Sequence, residues 1–315
     1  DHSFGKAEIH ASYTAGFVDY KGIASATQDL SDAHNRDLDA SVNSPSDDPG
    51  TSWNLAYRSD EVKYEAFEQY KYEALTAGFG IPITTQLRLL AEGGKESDLT
   101  QNTAAGGLDS TNWRGGIRLT PNPNDTFEAW YGHRFFGKTY SAHLTHKARL
   151  LQVNLQYDEE PITEAQRVAL RTVIPGELAP PPTPDVNRPT PQPFLNKYFY
   201  ATVELVGRRT SLAFEAYDSR RIYLTQDITE STRGGGMNLS RRVGSRSNLS
   251  LSLNLAKSRF RDGDGSHDYV GVLEFDRQFS RTVSGVARAL YLERTGTVGG
   301  DYRAAMATLG IVAAF

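Results

Sequence analysis

Residues 248–256 read Asn-Leu-Ser-Leu-Ser-Leu-Asn-Leu-Ala. Leucine occupies 249, 251, 253 and 255, and a serine or an asparagine fills each gap. A period of two belongs to a β-strand with one apolar and one polar face. In a soluble sandwich such leucines would turn to the core and the serines to water. In an outer-membrane barrel the leucines would meet lipid and the serines a wet lumen.

The same alternation recurs along the chain. On 151–157 the apolar set is Leu151, Val153, Leu155 and Tyr157, interleaved with Gln152, Asn154 and Gln156. On 198–205 it is Phe199, Ala201, Val203 and Leu205, opposed by Tyr198, Tyr200, Thr202 and Glu204. Several polar faces also hold a charge: Glu128, Arg134, Glu204, Glu215, Glu274 and Arg288. Charges turned into a lone soluble barrel would be buried at high cost. Charges lining a wet pore are cheap, which favours the membrane alternative and makes these six residues candidates for the lumen or its constriction.

Counted back from the C-terminus, strand-like segments fall at about 301–315, 281–293, 267–277, 246–258, 231–242, 209–221, 197–206, 148–157, 138–146, 125–136, 112–120, 86–97 and 71–80. Most last about ten residues, the length a tilted strand needs to cross a bilayer. Residues 6–20 add another strand, and 51–69 read as two short strands or a hairpin folded into a loop. The expected architecture is all-β: one transmembrane up-and-down antiparallel barrel over 1–315, with about 16 strands or, as an alternative, 14. The connections support it. Short ones at Ile81–Thr85, Thr120–Asp125, Lys147–Ala148, Gly207–Arg209, Val243–Ser247 and Asp276–Arg281 alternate with longer ones at 98–111, 158–196, 222–230, 260–266 and 294–300. Outer-membrane barrels sort their turns and loops in this way, and a Greek-key sandwich does not.

The bulk composition is compatible. No stretch of the 315 residues approaches the 18 or so apolar residues of a membrane helix. The mean hydropathy of −0.50 does not argue against a barrel, whose lipid face uses alternate residues. Sixteen tyrosines, 14 phenylalanines and three tryptophans suit aromatic girdles, and the lack of cysteine removes disulfides and thiolate metal sites. A formal charge of −4 gives nucleic-acid binding no support. The start at Asp1, without an apolar leader-like segment, suits a processed chain or one never secreted.

Two stretches read as loops. Residues 21–50 are acidic, with Asp29, Asp32, Asp37, Asp39, Asp47 and Asp48. They are candidates for bridging divalent ions to lipopolysaccharide, against a plain solvated loop. Residues 158–196 hold nine of the 14 prolines, and 163–174 have the pattern of a short helix capped by Thr163. This segment is either a surface loop or a gate or plug over the lumen. At the other end, Leu309, Ile311, Ala313 and Phe315 share a face. The ending 308–315 resembles the C-terminal assembly signal of outer-membrane barrels, with Gly310, Ala313 and Phe315 at its key positions. The resemblance implies the barrel-assembly machinery as a partner.

Catalytic and ligand-binding patterns are weak. His133, Ser141 and His143 lie close in sequence on neighbouring strands, but no acid is evident to orient either histidine. Glu128 and Arg134 share a strand face and suggest either a constriction that contacts sugar hydroxyls or an ion pair that stiffens the wall. Asp262-Gly-Asp264-Gly-Ser266 opens like a calcium loop, but its twelfth position is Leu273 rather than glutamate. No phosphate loop, zinc spacing or dinucleotide fingerprint is present, so no cofactor and no enzymatic role are expected.

Residues 112–160 carry a sharper pattern. A strand and a proline turn lead into Thr126–Gly137, which ends Arg-Phe-Phe-Gly; Tyr140 and His146 follow, and then Tyr157-Asp-Glu159. This block, with 219–226 and the arginine-rich turn 241–246, resembles an uncharacterised family of outer-membrane barrels associated with the PEP-CTERM/exosortase system. Members are typically encoded beside exopolysaccharide genes. The resemblance implies an integral outer-membrane component of polysaccharide secretion or anchoring, with lipid, lipopolysaccharide, the polymer and a periplasmic export protein as partners. It assigns no site residues. The open alternatives are a plugged scaffold barrel and a small-solute porin.

Overall fold

The computed structural model describes residues 2–4, 7–18, 33–45, 50–64, 69–100, 107–163, 193–224, 228–260, 264–280, 282–296 and 300–313. They form one antiparallel sheet. A three-residue strand β1 (His2–Phe4) folds onto β2 (Ala7–Val18), opposing His2 to Ile9. There follow β3 (Ala33–Asn43), β4 (Ser52–Tyr64), β5 (Tyr70–Pro82), β6 (Leu87–Glu96), β7 (Ser110–Asn122) and β8 (Asp125–Arg134). Next come β9 (Gly137–Lys147), β10 (Leu151–Ile162), β11 (Phe194–Val206), β12 (Thr210–Tyr223) and β13 (Thr229–Gly244). The last four are β14 (Ser247–Arg259), β15 (Gly265–Gln278), β16 (Val283–Gly296) and β17 (Tyr302–Ala313). Each long strand pairs antiparallel with the next in sequence, from β2–β3 to β16–β17. Sixteen strands of 10 to 16 residues in up-and-down order are the fold of an outer-membrane barrel.

Short turns and longer connections occupy opposite ends. At the turn end, 123–124 join β7 to β8, 207–209 join β11 to β12 and 245–246 join β13 to β14. At the loop end the β8–β9 link is the short exception, Phe135–Phe136, completed by Gly137 at φ 105°. A side chain there would be strained, so glycine is what allows so tight a return.

Two expectations are corrected. The acidic stretch 21–50 is not all loop, because 33–43 form β3. Likewise, 51–69 is one continuous strand over most of its length, β4, rather than a pair of short ones. The reason is the same in both. Asp37, Asp39, Arg58 and Asp60 face inward while Arg36 and Glu61 face outward at the loop end, so charge on both faces masks the period of two. Residues 164–174 of the candidate helix and the proline-rich run up to 192 lie outside the described residues, as do 21–32 and 46–49 of the acidic stretch.

Register fixes the two faces. Leu253 opposes Met237 and Gly271, and the outer face of this region is Leu212, Phe214, Leu239, Leu251, Leu253, Leu255 and Leu273. Exposure follows: Leu255 is 54% exposed, Phe79 59% and Leu309 85%. So much exposed apolar area is foreign to a protein surrounded by water. Toward the loop end, Trp113, Tyr131 and Tyr140 on β7–β9 face outward and pack edge-to-face and tilted, with ring centroids 6.0 and 5.3 Å apart. They make one arc of an interfacial girdle.

Candidate functional site

With the apolar residues outside, the inner wall is polar, and it divides into two arcs. From β3 to β8 it is charged. Asp37 and Asp39 on β3 and Arg58 and Asp60 on β4 lie on the inner face. Glu92 and Glu96 on β6, Arg114 and Arg118 on β7, and Glu128 and Arg134 on β8 continue it. These charges are paired, Arg118 with Glu128 at 2.6 Å and Arg114 with Glu92 at 2.7 Å across strands, and Arg58 with Asp60 at 2.8 Å along β4. The arc curls so far that Asp39 and Arg58 line the same cavity of about 350 Å³ as Asp158 and Glu160 of β10.

From β10 to β14 the wall is mostly uncharged. Gln152, Asn154 and Gln156 stand beside Tyr198, Tyr200 and Thr202. Ser211, Tyr217 and Ser219 follow on β12, Asn238 and Ser240 on β13, and Asn248, Ser250, Ser252 and Asn254 on β14. Amides and hydroxyls bond to one another, Ser252 Oγ to Asn238 Oδ1 at 2.6 Å and Asn154 Nδ2 to Thr202 Oγ1 at 3.3 Å. The rings of Tyr198 and Tyr200 stack at 6.0 Å with 12° between their planes. Gly234 lets this wall stay flat: a Cβ there would sit 2.4 Å from the ring of Tyr217 and 2.6 Å from the Leu255 carbonyl oxygen. The tyrosine can therefore lie along β13 instead of projecting into the lumen.

All six charged candidates lie on the inner face. Glu128, Arg134, Glu204, Glu215, Glu274 and Arg288 oppose Arg118, Gly137, Gln152, Thr202, Ser250 and Glu274 respectively. Glu274 and Arg288 are neighbours at 3.8 Å. Glu215 accepts from Tyr200 at 3.4 Å and from Asn254 at 3.3 Å. The suggested pairing of Arg134 with Glu128 does not form. Six residues along a strand are about 20 Å, beyond any side chain's reach. Arg134 instead donates from Nε and Nη2 to Glu96 Oε2 at 3.0 and 2.8 Å, and from Nη2 to the Tyr72 hydroxyl at 2.6 Å. Tyr72 donates to Glu96 Oε2 at 3.0 Å, and the Phe135 amide to Oε1 at 3.0 Å. Glu96 is fully buried, so this cluster carries a completely desolvated carboxylate.

Above the cluster, at the loop end, the lumen is partly filled. Ala33, Val62, Tyr70, Tyr72, Ala74 and Leu99 form a buried apolar group, with Phe135 and Leu224 packed against it. Leu224 follows β12, so this contact spans the barrel from β12 to β3–β5.

The remaining sequence candidates separate. His133 lies on the outer face, opposite Trp113 and Lys138. Ser141 and His143 face inward, and an acid does reach His143: Asp158 Oδ1 lies 2.9 Å from its Nε2. Sequence inspection missed this partner because it lies on the next strand, 15 residues on. Gly310 lies within β17, as does the backbone of Ala313, while Phe315 is outside the described residues, as are 262–263 of the calcium-like stretch.

An apolar belt outside and a polar wall inside invert the plan of a soluble β protein. They place the chain in the bacterial outer membrane as an integral barrel. No family model and no curated protein matches the sequence. Solved structures to which it is similar include a bacterial polysaccharide outer membrane secretin, with 10% identity, TM-score 0.42 and 100% of both chains covered. OmpT, an outer membrane protein of Vibrio cholerae, has 10% identity, TM-score 0.38 and coverage of 98% of this chain and 95% of its own. An anion-selective porin from Comamonas acidovorans has 9% identity and TM-score 0.36, with 97% and 98% covered.

Proposed function

We propose that this barrel passes a polysaccharide across the outer membrane, as a non-catalytic component of an exopolysaccharide secretion system of the PEP-CTERM-associated kind that residues 112–160 resemble. The observation that carries the proposal is the inner wall of β10–β14, where amides and hydroxyls outnumber charges. Its amides and hydroxyls offer a sugar chain many weak and interchangeable hydrogen bonds. Tyr198 and Tyr200 add flat apolar faces of the kind that pyranose rings cover. Contacts that are individually weak and repeated let a polymer bind and still move, and the paired charges of the opposite arc leave no strong single-sign field to hold it.

One observation favours a second reading, a plugged scaffold barrel that anchors envelope partners: the apolar group at the loop end, with Leu224 reaching across to it. Single-channel recording of the refolded protein in planar bilayers separates the two. Stable openings that neutral oligosaccharides block support passage. Silence, with the protein shown to be folded, supports the scaffold. Openings that sugars leave untouched point to a general porin.

A further inference from the structure

At the loop end of one stretch of the sheet, the outer face of the described residues carries cations beyond those that their own ion pairs neutralise. At the loop end of β11–β15, register turns Lys197, Arg220, Arg233, Lys257 and Arg259 outward. Lys197 opposes Arg220, and Arg233 opposes Lys257. Among the described residues, two carboxylates form ion pairs with three of these five cations, and Lys257 and Arg259 are in none. Glu159 lies 3.1 Å from Lys197, and Asp218 lies 3.0 Å from Arg233 and 3.6 Å from Arg220. At the same level on β4 and β5 the charge is balanced, Lys63 against Glu61 at 3.0 Å and Lys71 against Glu73 at 3.1 Å. β4 and β5 therefore show no such excess at this level.

The patch also has a shape. Lys257, Arg259 and His267 line a surface recess of about 570 Å³ together with Asp264 and Asp301. Directly below it on the outer face come Leu255, Leu253 and Tyr269, 54%, 41% and 42% exposed. A recess that sets two cations beside two carboxylates, above an apolar slope and at the end carrying the longer loops, matches an outer-leaflet amphiphile whose head offers both phosphate and sugar hydroxyls.

We propose that this recess binds a phosphate group of an outer-leaflet phosphoglycolipid, whose acyl chains lie along Leu253, Leu255 and Tyr269. Arg259 and Lys257 supply the charge-assisted donors. Asp264 and Asp301 are acceptors suited to sugar hydroxyls, which a simple phospholipid would not offer. Arg233 and Arg220 extend the cationic surface to a second phosphate. This inference is independent of what passes through the lumen.

The test is native mass spectrometry of the detergent-solubilised full chain with bisphosphorylated lipid A, its dephosphorylated form and inorganic phosphate as probes. Lipid A should bind at least about tenfold more tightly than its dephosphorylated form, since charge-assisted bonds are the stronger class. A K257Q/R259Q variant should lose a similar factor. K257R/R259K, which keeps the charge, and R241Q/R277Q, at the turn end of the same face, should bind within about threefold of the parent. Folding of every variant is checked by heat-modifiable gel mobility. Equal binding of dephosphorylated lipid, unchanged binding by K257Q/R259Q, or full displacement by equimolar inorganic phosphate overturns the proposal.

Discussion

The face assignment of β14 makes a quantitative prediction. Leu253 is the seventh of 13 residues, hence near the bilayer midplane, and it faces outward. Leu253→Arg puts a guanidinium against hydrocarbon and should cost about 2–4 kcal/mol. Ser252→Arg, one residue away, turns the same group into the wet lumen. Its main loss is the 2.6 Å hydrogen bond to Asn238, about 0.5–1.5 kcal/mol. Leu249→Arg faces lipid again but lies about 13 Å toward the turn end, where the cost falls to about 0–1 kcal/mol. Leu253→Arg should therefore be the most damaging of the three. The assay is equilibrium unfolding by guanidinium in phospholipid vesicles, followed through the three tryptophans. A larger loss for Ser252→Arg than for Leu253→Arg would invert the two faces and refute the reasoning. Equal losses at 249 and 253 would remove the dependence on depth.

Arg134→Met leaves the buried Glu96 without its counter-ion and should cost about 3–5 kcal/mol in the same unfolding assay, while the E96L/R134M pair should cost less than Arg134→Met alone. A single-variant loss below about 1 kcal/mol would show that water reaches the carboxylate. Phe135→Ala with Leu224→Ala removes two side chains from the loop-end apolar group and should raise single-channel conductance; unchanged current would mean that this group does not limit the pore. Tyr200→Ala should shorten the residence time of a neutral oligosaccharide blocker several-fold while open-channel current stays within about a third of the parent value, and an unchanged residence time would separate the polymer path from the β11 wall. Deleting 164–192 should raise current if that stretch gates the lumen, and unchanged current would remove the gating role.

Much of this fold can be read from single strands, because a barrel wall needs no long-range information to be recognised. Leu249 to Leu255 already separate oil from water, and the faces of 151–157 and 198–205 agree with them. β3 and β4 were not legible for a physical reason. Near the membrane boundary the outer face carries charge at little cost, so Arg36 beside Asp37, and Glu61 beside Asp60, erase the alternation that marks a strand. The inward orientation of Glu128, Arg134 and Glu215 was legible because parity alone determines it. Their partners were not. Arg134 meets Glu96, 38 residues earlier, because β6 and β8 stand on either side of β7 and Gly132 and Gly94 keep the inner face between them clear. His143 meets Asp158 for a similar reason, across a single ladder. A sequence gives the face of a residue locally, but it gives the level of that residue only once every turn between the strands has been counted.

The two arcs follow from this distinction. On β3–β8 the inner charges form ion pairs between and along strands, and each such pair depends on register, because a slip of one residue would turn a carboxylate into lipid. On β10–β14 most inner residues are interchangeable amides and hydroxyls, with Glu204 and Glu215 among them, and registry matters there mainly through the leucines outside. Glycines at 234 and 236 make the same division in shape, since a Cβ at 236 would come 2.6 Å from Glu215 Oε1 and 3.0 Å from the Leu253 carbonyl oxygen. One side of the lumen is thus fixed by specific pairs and filled toward its loop end, and the other is lined mainly by amides and hydroxyls. A solute that needs a wide, weakly binding path finds it along β10–β14, which is where the blocking experiments with Tyr200→Ala have to look.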